Sequence, residues 1–121
     1  MLEELNNRLN FWKEILNLTE WTISLKFLSA SDMDGGIAKT YLKDNIQTAE
    51  ISFLNINERK DADRSLESLE LDLLHELVHI RFWFVRTADE KNYLENTLIE
   101  QAIENTAKAF LKLYRMKEIN I

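Results

Sequence analysis

The sequence predicts an α+β domain, because its hydrophobic period changes twice along 121 residues. Apolar residues recur at helical spacing near the N-terminus, alternate through the middle and return to helical spacing over the C-terminal half. The expected order is an N-terminal helix, a three-stranded and mostly antiparallel sheet, a buried central helix and a C-terminal helix. With 45% hydrophobic and 30% charged residues the chain has apolar mass for one core, so residues 1–121 are expected to form a single domain.

Leu2, Leu5, Leu9, Trp12 and Leu16 lie on one face of a helix over residues 3–17. Three strands follow: residues 21–27 alternate, residues 37–42 alternate more loosely, and residues 49–53 alternate clearly. The loop Ser29 to Gly36 holds the chain's two glycines. Its aspartates lack the further acidic positions and closing glutamate of a calcium loop, so it reads as a solvated turn. Lys43-Asp44-Asn45 is expected to close an antiparallel hairpin between the second and third strands. The charged run Glu58 to Arg64 reads as a solvated connection, and Asp61, Asp63 or Ser65 is the expected cap of the next helix.

That helix, about Leu66 to Val85, carries two apolar faces. One is Leu66, Leu69, Leu73, Leu77, Ile80 and Phe84, the other Leu71, Leu74, Val78, Phe82 and Val85. Such a helix is buried on most sides, and its polar groups Asp72, His75, Glu76, His79, Trp83 and Arg86 are confined to the remaining arc. The last helix, about Asn92 to Lys117, presents Ile99, Ile103, Ala107, Phe110, Leu111 and Tyr114 as its apolar stripe.

Composition narrows the function classes. A net charge of −6 provides no basic stripe for a phosphate backbone, so nucleic acid is not an expected partner. No apolar run reaches the ~18 residues of a membrane span. The segment Met1-Leu2-Glu3-Glu4 carries acid where a secretory signal carries positive charge, and the expected location is the cytoplasm. With no cysteine there is no disulfide or thiolate site, which leaves histidine and carboxylate as the strong metal ligands.

The only two histidines stand in His75-Glu76-Leu77-Val78-His79. Four residues make slightly more than one helical turn, so both imidazoles project from one side and can bind one Zn²⁺. Glu76, turned about 100° from His75, can accept a proton from a metal-activated water as general base. Two histidines in an apolar helix also fit an ordinary hydrogen-bonded core pair. Unpaired buried polar groups cost about 1–3 kcal/mol each, however, and a bound cation removes that cost. Ligand type alone does not separate zinc from Mn²⁺, Co²⁺ or Fe²⁺; one Zn²⁺ per chain is the expectation.

With both histidines used, a third protein ligand must be a carboxylate. Glu100 falls within the apolar stripe of the last helix, about 20° from Ala107 and from Leu111, whereas Glu104 lies at its edge. Glu100 is therefore the expected ligand and Glu104 an outer hydrogen-bond partner of a ligand histidine, with the reverse assignment as the alternative. Both glutamates also fit plain solvated positions on a helix surface. Tyr93 shares the face of Glu100 with Asn96, and Tyr93 or Arg86 is a candidate oxyanion donor.

A helix, three strands, an H-E-x-x-H helix and a downstream helix bearing a glutamate resemble the zincin metallopeptidases, specifically the gluzincin group. The resemblance covers the core. It implies that His75 and His79 match the zinc ligands, Glu76 the general base and Glu100 the third ligand, with Glu104 standing where thermolysin-like members carry an outer aspartate. Ile99 to Ile103 with Glu104 and Ala107 to Phe110 is similar to the C-terminal helix of small stand-alone zincins from bacteria, phages and mobile elements. The chain departs from thermolysin-like enzymes in lacking a third histidine and the large C-terminal subdomain, which argues against general proteolysis. The resemblance implies hydrolysis of peptide bonds in a restricted set of protein or peptide targets, with a strand of the Ile37–Phe53 hairpin pairing with extended substrate. The competing expectations are an inactive zinc-binding module that holds peptides or regulates, and a helical interaction module without metal.

Overall fold

A computed structural model describes residues 1–43, 46–82 and 93–119, with the side chains of the last segment described from 97 to 116. The fold is α+β, with four helices and one three-stranded mixed sheet among the described residues. Helix α1 (Leu2–Ile15) precedes β1 (Thr22–Leu28), a four-residue helix α2 (Ala30–Met33), β2 (Ala38–Lys43) and β3 (Thr48–Leu54). Two 3₁₀ turns lead into α3 (Leu66–Arg81), and α4 (Tyr93–Ile119) ends the described chain.

Helix α1 stops two residues before residue 17 because Asn17 adopts a left-handed conformation at φ 57°. Leu18 N donates to Lys13 O and Asn17 N to Glu14 O, which satisfies the last carbonyls and turns Leu18 into the core. Between β1 and β2 the expected open turn contains α2, which buries Met33, and the chain then turns through Asp34 at φ 53° and Gly35 at φ 88°. Gly35 suits that backbone because it has no Cβ to clash.

The sheet order is β1-β3-β2. β3 pairs antiparallel with β2, from Ala38↔Phe53 to Lys43↔Thr48, and parallel with β1, from Thr22↔Thr48 to Leu28↔Leu54. The late strand is thus central and β2 is an edge. Side chains alternate across the pleat, so Ala49, Ile51 and Phe53 of β3 point inward with Ile23, Leu25 and Phe27 of β1 and Ala38, Thr40 and Leu42 of β2. Thr40 is the polar member of that inward row.

The core lies between this face, α1 and α3, with α4 closing the other side of α3 through Ile103, Ala107 and Leu111. Phe11 stacks on Tyr114 at 4.7 Å and so ties α1 to α4. Ser65 caps α3, its Oγ accepting from Ser68 N at 3.1 Å. The predicted run to Val85 is shorter in the structure: Phe82 is the C-cap and is exposed, so it does not belong to a buried face. Phe84, Val85, Trp83 and Arg86 lie outside the described residues, as do Asp44 and Asn45 of the expected hairpin turn.

The run Glu58 to Arg64 is not wholly solvated. The Arg59 side chain is 0% exposed, and its guanidinium donates to Leu54 O, Ile37 O, Asp63 O and Asp72 Oδ2. The main-chain groups where β3 ends and β2 begins need donors once helices cover them, and one planar fork supplies them. No helix among the described residues is long and apolar enough to cross a membrane.

Candidate metal centre

The centre is assembled from three elements that meet at one end of α3. His75 and His79 project from α3 with Nε2 atoms 3.1 Å apart. Glu100 reaches them from α4, its Oε2 3.3 Å from His75 Nε2 and 3.2 Å from His79 Nε2. In a tetrahedral zinc site, bonds of about 2.0–2.1 Å place neighbouring ligand atoms ~3.3 Å apart. The three atoms therefore outline one face of a tetrahedron of the right size, and this His-His-Glu group can hold a metal ion.

Glu104, one turn further along α4, does not join that face. Its Oε2 is 2.8 Å from His75 Nδ1, the nitrogen that points away from Glu100. With Nδ1–H donating to this carboxylate, His75 keeps its Nε2 lone pair directed at the other two ligand atoms. Two lone-pair bearers, His75 Nε2 and Glu100 Oε2, then face each other at 3.3 Å, an arrangement that a cation stabilises. The imidazoles are mostly buried, at 18% and 10% exposed, while Glu100 and Glu104 are each 37% exposed. Solvent therefore approaches from the α4 side.

Glu76 is 8% exposed and points beneath the sheet edge, where Thr40 Oγ1 donates to its Oε1 at 2.8 Å. This bond fixes the carboxylate's orientation and links it to β2. The sequence reading missed Thr40; its signal is parity, a hydroxyl between the inward-facing Ala38 and Leu42.

Two carboxylates and then a guanidinium follow outward from His75. Glu104 lies near Asp72, and Asp72 accepts from the buried Arg59 at 2.8 Å. Burial raises the Asp72 pKa above its ordinary value, with Glu104 and Asp63 adding to the effect and the Arg59 guanidinium opposing it. Of the candidate oxyanion donors, Arg86 lies outside the described residues, and Tyr93 lies on α4 with its side chain outside the described set, as is that of Asn96. A second buried carboxylate, Glu70, is remote from this chemistry and accepts from Trp12 Nε1 at 2.8 Å, with Arg8 3.9 Å away.

Three atoms that could hold a metal ion, from two helices, thus meet beside a carboxylate next in sequence to the first histidine and a sheet edge anchored to that carboxylate. No protein-family model, curated protein or solved structure matches the chain.

Proposed function

We propose that this chain is a zinc-dependent peptidase acting on a restricted set of protein or peptide targets. The observation that carries the reading is the triangle of His75 Nε2, His79 Nε2 and a Glu100 oxygen, with edges of 3.1–3.3 Å. Three protein ligands leave a tetrahedral ion one open position, as catalytic sites do and closed structural sites do not.

His75, His79 and Glu100 would hold the zinc ion, which would supply Lewis acidity at neutral pH. Glu76 then takes the proton of the attacking water and delivers it to the leaving amine. Thr40 holds Glu76 in place for that transfer, and Glu104 holds the His75 ring in the tautomer that presents Nε2. An extended peptide laid along β2 meets backbone groups of an edge strand, and the Thr40–Glu76 bond fixes the distance from that strand to the base. The reading carries with it a cytoplasmic setting and one or a few targets.

The test is elemental analysis of the purified chain together with mass-spectrometric detection of cleavage in a proteome-derived peptide library. The expected result is near one zinc per chain and a narrow set of cleaved sequences, with Glu76→Gln keeping the zinc and losing all cleavage. Cleavage that survives in Glu76→Gln refutes the assignment of the base. Full zinc binding with no cleavage by the wild type supports a non-enzymatic zinc module instead.

A further inference from the structure

The outer face of α4 has no role in the metal centre. Ile103, Ala107 and Leu111 point into the core and Glu100 and Glu104 toward the histidines, whereas Leu98, Ala102, Asn105, Ala109, Leu113 and Met116 share the opposite side. That side is open: Leu98 is 54%, Leu113 62% and Met116 48% exposed. Ala102 and Ala109 are seven residues apart and hence nearly in line along the helix.

The order of residues on this face is symmetric. A two-fold axis placed between Asn105 and Thr106, perpendicular to the helix, pairs Leu98 with the second copy's Leu113 and Ala102 with its Ala109. Small residues meet at the middle, where helices must approach closely, and large apolar ones close each end. Charge fits the same register. No residue of this outer face between 97 and 116 is acidic, and Lys108, Lys112 and Arg115 are the cations beside it, so many helix pairings would bring like charges together. In the antiparallel register Lys112 falls beside the second copy's Gln101 and Lys108 beside its Asn105, both neutral amides. Arg115 is already directed at Glu67 within its own chain, 3.9 Å away.

We infer that two copies of this chain associate through antiparallel packing of their α4 outer faces, centred between Asn105 and Thr106. Such an interface is isologous: every contact occurs twice, and it closes at two copies. It leaves each His-His-Glu centre on the side of α4 away from the partner. One helix pair from Leu98 to Leu113, ~23 Å long, sits at the low end of specific interfaces, so the dissociation constant should be on the order of 10–100 µM.

The experiment is sedimentation velocity of the full chain across that concentration range, with circular dichroism to check that each variant is folded. The wild type should shift from monomer to dimer. Ala109→Glu, at an exposed position and with a good helix former, should stay monomeric with unchanged helicity. Adding Ala102→Lys should restore the dimer, because position 102 faces position 109 of the other copy. The chain has no cysteine, so single cysteines report geometry. Asn105→Cys lies beside its own symmetry mate and should cross-link on mild oxidation, whereas Met116→Cys lies ~30 Å from its mate and should not. A wild type still monomeric at roughly 500 µM overturns the inference. So does a dimer that tolerates Ala109→Glu, a double variant that stays monomeric, or preferential cross-linking at position 116.

Discussion

Replacing Glu104 with alanine isolates what an outer carboxylate does for the metal centre. Its Oε2 lies 2.8 Å from His75 Nδ1 and touches neither Nε2 atom of the triangle. Removing it deletes no ligand, but releases the His75 ring to rotate and to carry its proton on Nε2, where a metal ion must bind. Loss of such a partner lowers metal affinity by about 10–100-fold, or about 1.4–2.7 kcal/mol. Glu104→Gln keeps a carbonyl oxygen to accept from Nδ1–H and loses only the charge, so its loss should be at the low end, about tenfold. Glu100→Ala removes one of three ligand atoms and should exceed both. The assay is competition for zinc against a chromophoric chelator, with Glu67→Ala as control, since that side chain is 78% exposed on the same helix as the histidines. If Glu104→Ala binds zinc within about twofold of wild type, the orienting role is wrong. If it loses more than Glu100→Ala, the two carboxylates have exchanged parts.

Three further outcomes follow from the buried polar groups. Arg59→Leu deletes the donor to three carbonyls and leaves Asp72 buried beside Glu104, and should cost about 3–5 kcal/mol in urea unfolding, with no comparable loss for the exposed Arg64→Leu. Asp72 has a raised pKa in the fold, so folding favours its protonated form. Its contribution to stability therefore falls as pH rises from its ordinary value of 3.8 through the folded value, and stays lower above it. Asp72→Asn should remove that segment of the pH–stability curve; parallel curves for the two proteins would contradict the shift. Trp12→Phe leaves a cavity where the larger ring was buried and strips Glu70 of an indole donor at 2.8 Å; the stranded carboxylate should add about 1–3 kcal/mol to the cavity's cost, and that share should be recovered in the Trp12→Phe/Glu70→Leu double variant.

Periodicity fixed which residues face the core, because inward and outward positions of a strand or helix are set by the chain's own geometry. Ala49, Ile51 and Phe53 were legible for that reason, as was the common face of His75 and His79. Strand neighbours were not legible in the same way. Alternation is identical for parallel and antiparallel partners, so nothing in residues 48–54 announces that β3 lies between β1 and β2. Arg59 was hidden by its company: amid Glu58, Lys60, Asp61 and Asp63 it reads as another solvated charge, and only the carbonyls at the ends of β2 and β3 explain its burial. Within the centre, angular position put Glu100 inside the apolar stripe of the last helix and Glu104 one turn on at its edge. Which imidazole nitrogen each faces depends on the packing of α4 against α3, a long-range property that no window of sequence contains.

The split of the triangle between two helices has a mechanical consequence. His79 and Glu100 are 21 residues apart, and an ion that binds both closes that stretch into a ring. An ion bound only by the folded pair stabilises it by mass action, by about 2.7 kcal/mol when the free ion is at a hundredfold of its dissociation constant. In a chain without cysteine, such an ion would thus be a reversible staple between α3 and α4. On the proposed function, catalytic competence and the docking of the last helix would then both follow the occupancy of this one site.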